Sequence, residues 1–258
     1  MTGPGEYRRE SNGPWGGLPG PEERNTPAPI FCSKCSEVVK PIVAVDIDGT
    51  LGDYHLHFVR FLEGYTGKRA ASQVIEGNPQ YGGGPPGSFR EWCCDQFDID
   101  STAWDRAKLA YRQGAQKRTM PVFAGAYDLV RAVNESGAEL WLTTTRPHLR
   151  LDGIDPDTRD WLRRNGLEPY YGLLYDEDKY RVLAERVDPA RVVAVLDDLP
   201  EQVVEATEAF GPRVGMLRRG EWNQNVMVDR IGFSLQTATQ EITRRIQTWQ
   251  TEYRNQRG

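Results

Sequence analysis

Short apolar runs that each lead into a polar residue predict four buried strands. A continuous run of about five apolar residues is typical of a strand that is covered on both faces. The first run leads into Asp46, the second into Thr143 and the third into Asp197. The predicted strands are residues 42–45, 139–142, 191–196 and 213–217.

Helical patterns lie between these runs and predict an α/β fold. Gly137 and Gly166 stand where the first two helices would end, since glycine commonly follows the last helical turn. Strands that alternate with amphipathic helices indicate a Rossmann-like, doubly wound parallel sheet with helices on both faces. Ligands of such sheets bind beyond the carboxyl ends of the strands, so the polar residues there form the candidate site. The predicted helices are residues 126–136, 156–165 and 179–186.

A long insert separates the first two predicted strands. It spans residues 53–121, which is far longer than an ordinary connection between elements. Helical patterns at residues 56–65, 89–97 and 102–116 predict that the insert is a mainly helical cap. The predicted division of the chain is an arm over 1–40, a core over 41–52 and 122–235, a cap over 53–121 and a C-terminal helix over 236–258.

The N-terminal arm is predicted to be disordered. Residues 1–30 combine many glycines and prolines with few aliphatic side chains, so burial cannot offset the entropy of ordering them. Cys32 and Cys35 have zinc-knuckle spacing, yet a structural zinc site needs four ligands. The other two cysteines, Cys93 and Cys94, lie within the insert. Zinc binding and free thiols therefore both stay open for the arm.

An apolar stripe marks the C-terminal segment and predicts a helix over about residues 234–253. Such a stripe must be covered by another surface. Packing on the same chain is the expected arrangement, and a homodimer contact is the alternative. The stripe consists of Leu235, Ala238, Ile242, Ile246, Trp249 and Tyr253.

The overall charge and apolar content exclude several classes of protein. The 258 residues carry 32 Lys and Arg against 37 Asp and Glu, and the net charge of −5 argues against a non-specific nucleic-acid binder. No run approaches the ~18 apolar residues of a membrane span, and the N-terminus lacks the layout of a secretory signal. Four cysteines are too few for a disulfide scaffold. We therefore expect a soluble, cytoplasmic protein without a membrane partner.

Asp46 and Asp48 lie two positions apart at the end of the first predicted strand. Residues at this spacing point to the same side of an extended segment, so both carboxylates can face one site. Gly49 permits a sharp exit from the strand, and Thr50 can hydrogen-bond within the turn. Since close carboxylates repel each other, the pair favours a bound cation or a shared proton.

A second acidic pair, Asp197 and Asp198, closes another predicted strand. Turn or helix-cap roles would account for one isolated pair, but two pairs that each close a strand favour a metal site. Together with Asp46 and Asp48 they offer the hard oxygen ligands that suit Mg²⁺.

Candidate anion-binding side chains follow the second strand and open a helix. Thr143 and Thr144 offer hydroxyls and backbone amides to phosphate oxygens, although threonine is also common in strands. Arg146 could clamp an anion with two hydrogen bonds. Lys179 opens the helix before the third strand, where it could equally pair with the acidic residues that precede it.

The order of these motifs resembles the haloacid dehalogenase-like (HAD) phosphohydrolases. Asp-x-Asp-Gly-Thr is followed by a strand-end threonine, a lysine and an Asp-Asp pair, over roughly residues 41–235. The resemblance implies a HAD core with an inserted cap and a Mg²⁺-dependent phosphatase activity. Within the superfamily, residues 140–147 and 175–180 resemble 5′(3′)-deoxyribonucleotidase-like and bacteriophage-type members.

The resemblance also implies a role for each motif residue. Asp46 would be the nucleophile, and Asp48 would be the acid and base, which requires a raised pKa that burial under the cap would favour. Thr143 and Lys179 would hold the transferring phosphoryl group. The further implied substrate-binding residues are Thr144, Arg146, Gly49 and Thr50. The implied Mg²⁺ ligands are Asp46, Asp197, Asp198 and, through its backbone carbonyl, Asp48.

The implied function is a phosphomonoesterase that forms an aspartyl-phosphate, acting on a (deoxy)nucleoside monophosphate or a similar small phosphomonoester. One alternative is a polynucleotide 3′-phosphatase of end repair, the case in which nucleic acid would be a partner. A second alternative is a non-catalytic binding protein, although the joint presence of Asp46, Asp48, Lys179 and Asp197 argues against it. A bacteriophage protein in its host cytoplasm also fits the resemblance. The base, the sugar and the position of the phosphate are left open.

Aromatic side chains of the insert could stack on a base or fill the core of the cap. Either role uses the same residue types, so the sequence leaves both open. They are Tyr81, Phe89, Trp92, Phe97, Trp104 and Tyr111.

Overall fold

A computed structural model of the chain describes residues 39–70, 89–220, 223 and 232–256. Apart from its last two residues, the predicted arm lies outside the described residues, and so do Cys32, Cys35 and Tyr81. No described helix combines the length and the apolar character that crossing a membrane requires.

Five parallel strands form one sheet in the order β3-β2-β1-β4-β5. The chain leaves β1 for one side of the sheet and returns beside β1 to build the other side. This arrangement confirms the predicted Rossmann-like, doubly wound fold. The strands are β1 (Ile42–Asp46), β2 (Glu139–Thr144), β3 (Gly172–Tyr175), β4 (Val192–Asp197) and β5 (Gly215–Leu217).

Eight α-helices accompany the sheet within the described ranges. The first three belong to the insert, and the other five follow it. The helices are α1 (Tyr54–Thr66), α2 (Phe89–Phe97), α3 (Ser101–Gln113), α4 (Ala126–Glu135), α5 (Ile154–Arg164), α6 (Lys179–Arg186), α7 (Pro200–Phe210) and α8 (Leu235–Asn255). Each predicted helix is present, with ends within three residues of the prediction.

One strand, β3, and one α-helix, α7, are not predicted by the sequence pattern. β3 has four residues and begins with Gly172, where an added Cβ would lie 2.4 Å from Cε3 of Trp141. Because the Trp141 ring lies so close, this position requires glycine. The glycine shortens the run of apolar residues from which a strand would be predicted. α7 begins at Pro200, which suits the first helical turn, and buries Val203 and Ala206.

The three helices of the insert bury their apolar faces against one another. Phe97, Trp104 and Tyr111 are almost fully buried in this cluster, and Phe89 and Trp92 pack against it. These five aromatic residues therefore contribute to the core of the insert, which is the simpler of their two possible roles. A short 3-10 helix, Gln116–Thr119, then leads the chain back toward the sheet.

The C-terminal helix α8 packs on the same chain. Its residues Leu235, Ala238, Ile242 and Ile246 are buried in the hydrophobic cluster that also holds the apolar face of α4. Farther along, the Trp249 indole donates a hydrogen bond of 3.1 Å to a backbone carbonyl of the core. Most of the predicted stripe is thus covered within one chain.

Candidate active site

The carboxyl ends of β1, β2 and β4 meet at one edge of the sheet. Asp46 at the end of β1 is the register partner of Thr143 in β2, and Asp197 ends β4 on the other side of β1. All three residues are buried. The strand order therefore brings together side chains that are far apart in the sequence.

Lys179, the first residue of α6, lies between two of these carboxylates. Its ammonium group donates to Oδ1 of Asp46 and lies 2.7 Å from Oδ2 of Asp197. The neighbouring Tyr180 hydroxyl donates to the same Asp197 oxygen at 2.6 Å, and the Leu199 amide donates to the other at 2.9 Å. Lys179 is 1% exposed, so these contacts are shielded from water.

Asp46, Asp197 and Asp198 place one carboxylate oxygen each within 4.8 Å of one another. With Lys179 they form a group that we call the Asp46 half of the site. Three carboxylates against one ammonium leave a surplus of two negative charges when all are ionised. Burial, together with the nearby Asp197 charge, raises the pKa of Asp46 to about 7, even though Lys179 acts to lower it.

The Asp46 half has the chemistry of a divalent-cation site. Among the described residues, Oδ2 of Asp46 is buried and has no hydrogen-bond partner. A buried oxygen without a partner carries a desolvation cost that a bound cation would remove. The hard carboxylate oxygens and the surplus of two negative charges fit Mg²⁺.

The turn after β1 is shaped around Asp198. Gly49 has a φ of +94°, and an added Cβ would lie 2.2 Å from Oδ2 of Asp198. Thr50 donates from its hydroxyl to Oδ1 of Asp198 at 3.4 Å, while the Asn223 side chain donates to the Asp198 carbonyl at 2.8 Å. Asn223, which also donates to the Arg218 carbonyl, has no motif that would predict it.

Asp48 points to a different set of partners. Arg146 binds it with two hydrogen bonds, from Nε at 2.8 Å and from Nη2 at 2.6 Å. The Lys117 ammonium lies 2.6 Å from the same carboxylate. We call these three residues the Asp48 half of the site. A further hydrogen bond of 2.6 Å, from Nη1 to the Thr158 hydroxyl, fixes the Arg146 guanidinium.

The electrostatics of Asp48 contradict the sequence expectation of a raised pKa. Burial does act to raise it, but the charges of Arg146 and Lys117 outweigh burial and hold the pKa of Asp48 well below its ordinary value. The expectation was wrong because it considered desolvation under the cap without the pairing of Asp48 with Arg146 and Lys117.

Lys117 is a site residue that sequence reasoning missed. It lies on the 3-10 helix that follows α3, only 5% exposed, with its ammonium 4.0 Å from the ring centroid of Tyr54. Burial lowers the pKa of Lys117 to about 7, although the Asp48 charge acts to raise it. A single lysine between two helical patterns carries no sequence signal, and only the return of the insert to the sheet reveals its position.

The two threonines at the end of β2 are fully buried. The Thr143 hydroxyl donates to the Tyr180 hydroxyl at 3.4 Å, and the Thr144 hydroxyl accepts a hydrogen bond of 3.4 Å from the Arg146 amide. The structure thus brings every residue of the predicted site to this edge of the sheet. Their roles as nucleophile, acid, phosphoryl ligand or metal ligand stay predictions.

Solved structures with similar folds include a predicted phosphatase, a putative beta-phosphoglucomutase and a hydrolase. A predicted phosphatase from Clostridium acetobutylicum aligns over 80% of this chain and 100% of its own, with 15% identity and a TM-score of 0.51. A putative beta-phosphoglucomutase from Thermotoga maritima covers 70% and 87%, with 18% identity and a TM-score of 0.45. A HAD family hydrolase from Deinococcus radiodurans, with bound phosphate and sodium, covers 70% and 82%, with 17% identity and a TM-score of 0.45.

No family model matches this sequence, and no curated protein matches it either. The likeness to the Clostridium structure, together with the strand order, shows that the chain shares the α/β fold of that predicted phosphatase. At this level of identity the likeness concerns the fold, and the activity has to be argued from the site.

Proposed function

We propose that the protein is a Mg²⁺-dependent phosphomonoesterase that forms an aspartyl-phosphate on Asp46. The observation that carries the proposal is the environment of the Asp46 carboxylate. One of its oxygens is held by Lys179, and the other is buried without a hydrogen-bond partner among the described residues, next to Asp197 and Asp198. A carboxylate positioned in this way suits covalent catalysis, in which one difficult displacement becomes two easier ones.

In the first step, an Asp46 oxygen forms a bond to phosphorus while the bond from phosphorus to the leaving oxygen breaks. That oxygen takes a proton from Asp48, in the role that the resemblance implies. In the second step, Asp48 takes a proton from water as the water oxygen attacks phosphorus. The bond from phosphorus to Asp46 then breaks, and inorganic phosphate is released.

Asp48 is ionised in this arrangement, so it has the form that the second step needs. The acid role in the first step requires its pairs with Arg146 and Lys117 to loosen, because both cations favour the charged carboxylate. The ion pair between Lys117 and Asp48 would loosen if the 3-10 helix Gln116–Thr119, which connects the cap to the core, moved away from Asp48.

The other residues of the site would stabilise the charge of the transferring group. Lys179 and Thr143 lie beside Asp46 and would bind the phosphoryl oxygens. Mg²⁺ held by Asp46, Asp197 and Asp198, with the Asp48 carbonyl as the further ligand that the resemblance implies, would neutralise charge on the same oxygens. We propose a (deoxy)nucleoside monophosphate or a similar small phosphomonoester as the substrate.

The test is phosphate release in the presence of Mg²⁺, with and without a chelator. The panel contains 5′- and 3′-(deoxy)mononucleotides, sugar phosphates and a 3′-phosphorylated oligonucleotide. Asp46→Asn keeps the shape of the nucleophile and removes its reactivity. Asp128→Asn, at an exposed position of α4, is the matched control for the chemistry of the substitution.

Release from mononucleotides that is lost in Asp46→Asn and retained in Asp128→Asn would support the proposal. Release from the oligonucleotide alone would favour a 3′-phosphatase of end repair. Absence of release from every compound, with Mg²⁺ binding demonstrated by calorimetry, would contradict a phosphatase and favour a binding protein.

A further inference from the structure

The Asp48 half of the site has more positive than negative charge. Lys117 and Arg146 share the Asp48 carboxylate at distances of 2.6 to 2.8 Å. Within the described ranges, neither cation has another carboxylate within ion-pair distance. The exposed fractions are 5% for Lys117 and 4% for Arg146. Two buried cations therefore depend on one carboxylate.

A buried charge without a counter-charge is costly, because water no longer solvates it. The ring of Tyr54 faces the Lys117 ammonium at 4.0 Å and offsets part of this cost. One positive charge still remains in excess when both cations are protonated and Asp48 is ionised. By the same reasoning that assigns a cation to the Asp46 half, the Asp48 half is complementary to an anion.

Further cations lie on the cap side of the Asp48 half. Burial lowers the pKa of Lys108, while the Asp48 charge acts to raise it; the Arg112 charge contributes to the lowered pKa of Lys117. Lys108 and Arg112 belong to α3, which ends just before the 3-10 helix that holds Lys117. The positive charge around Asp48 thus extends toward the cap.

The direction in which Asp46 attacks phosphorus places the positive charge of Lys117 and Arg146 next to the leaving group of the substrate. If Asp46 attacks phosphorus in line, the leaving oxygen is on the far side of phosphorus from Asp46. The acid that protonates this oxygen must be within hydrogen-bond reach of it. Since Lys117 and Arg146 contact that acid, Asp48, they lie beside the leaving group.

We propose that Lys117 and Arg146, supported by Lys108, form a subsite for a second anionic group on the alcohol that leaves. This inference rests on the proposed function and narrows its substrate class to phosphomonoesters that carry a second phosphate or a phosphodiester. The Asp48 carboxylate occupies the subsite when no substrate is bound. Binding of the substrate anion replaces Asp48 as the partner of both cations and frees its carboxylate for the reaction.

The test compares substrates that differ in the second anion alone. Deoxyadenosine 3′-monophosphate and 5′-monophosphate are compared with deoxyadenosine 3′,5′-bisphosphate and with a 3′-phosphorylated dinucleotide. The bisphosphate represents a free phosphate as the second anion, and the dinucleotide represents a phosphodiester. We expect kcat/KM to be about 10- to 100-fold higher for at least one of these two than for either monophosphate, as for one to two charge-assisted hydrogen bonds.

Lys117→Met removes the ammonium and keeps an unbranched side chain beside the rings of Tyr54 and Tyr111, whose centroids lie 4.0 and 5.6 Å from the ammonium. We expect this variant to lose most of the preference for the second anion, while Lys40→Met retains it. Lys40 is exposed, before β1 and at the opposite end of the sheet, which makes it the matched control. Lys108→Met is a milder variant in case Lys117→Met does not fold, and we expect it to reduce the preference about threefold.

Calorimetric binding to Asp46→Asn separates this inference from the proposed function. We expect the bisphosphate or the dinucleotide to bind more tightly than the monophosphates, and the added Lys117→Met change to remove the difference. If no compound releases phosphate but this binding difference is present, the phosphatase proposal fails and the subsite remains. Equal kcat/KM values and equal affinities with and without the second anion would overturn the subsite, and so would a preference that survives both lysine variants.

Discussion

The two halves of the site contain the same residue type two positions apart and give it opposite properties. Asp46 has a raised pKa because it is buried, beside the charge of Asp197, and shares a single ammonium with that residue. Asp48 has a lowered pKa because two cations converge on it. The comparison shows that the motif Asp-x-Asp does not define the electrostatics of either carboxylate. The partners do, and each partner comes from a different part of the chain.

Substitution of the nucleophile is expected to have the largest effect. Asp46→Asn should reduce phosphate release by about 10⁴-fold or more, because an amide cannot form the covalent intermediate. The measurement is a steady-state phosphate assay with the best substrate of the panel. Residual activity within tenfold of the wild type would show that Asp46 is not the nucleophile.

Asp48→Asn is expected to have the largest effect on stability. It leaves Lys117 and Arg146 buried without a carboxylate, and breaking such a pair costs about 3–5 kcal/mol of unfolding free energy. Asp46→Asn should change the same quantity by less than about 1 kcal/mol, because it also relieves repulsion and Lys179 keeps Asp197. Urea unfolding of the metal-free proteins at pH 7 measures both. Equal effects of the two substitutions would contradict the difference between the halves.

The pH dependence of stability is expected to differ between Asp46 and Asp48. The folded-state pKa of Asp46, about 7, lies above the ~4 of an unfolded aspartate, so its proton stabilises the fold at low pH. This contribution is fully present below about pH 4 and is lost as the pH rises toward 7. The lowered pKa of Asp48 has the opposite consequence, a contribution that is present above about pH 4 and lost in acid.

The measurement is the difference in unfolding free energy between the metal-free wild type and Asp46→Asn, followed from pH 4 to pH 8. Relative to the variant, the wild type should lose about 1 kcal/mol per pH unit up to pH 7 and then level off. Mg²⁺ should raise the melting temperature of the wild type more than that of the variant. A difference that does not change with pH would mean that Asp46 is ionised throughout.

Gly49→Ala is expected to have a smaller effect on stability than Asp48→Asn. The added Cβ would collide with Asp198, and the residue would be held at a positive φ, at a cost of about 1–3 kcal/mol. Since Asp198 belongs to the Asp46 half, the variant should also bind Mg²⁺ more weakly, as measured by calorimetry. Wild-type Mg²⁺ affinity in this variant would show that the position of Asp198 is not needed for metal binding.

The pattern of the sequence determined most of the fold. The apolar runs that end in Asp46, Thr143 and Asp197 could be read directly, because strands covered on both faces leave few polar positions. Long helices such as α8 could also be predicted, because their apolar residues recur at helical spacing. Short elements were not, and β3 was missed because four residues that begin with Gly172 contain too little pattern.

The candidate site was likewise predictable from the sequence in part. The sequence by itself determined that Asp46, Asp48 and the Asp197–Asp198 pair would meet, because parallel strands end at one edge of a sheet. Lys179, which opens a helix, was assigned to the site through the family resemblance. Only the tertiary structure decided which charge each carboxylate faces. Lys117 reaches Asp48 from a position 69 residues later in the chain, through the packing of an entire inserted unit. Ion pairing acts over a few ångströms of space, and that distance has no counterpart in the spacing of residues along the sequence.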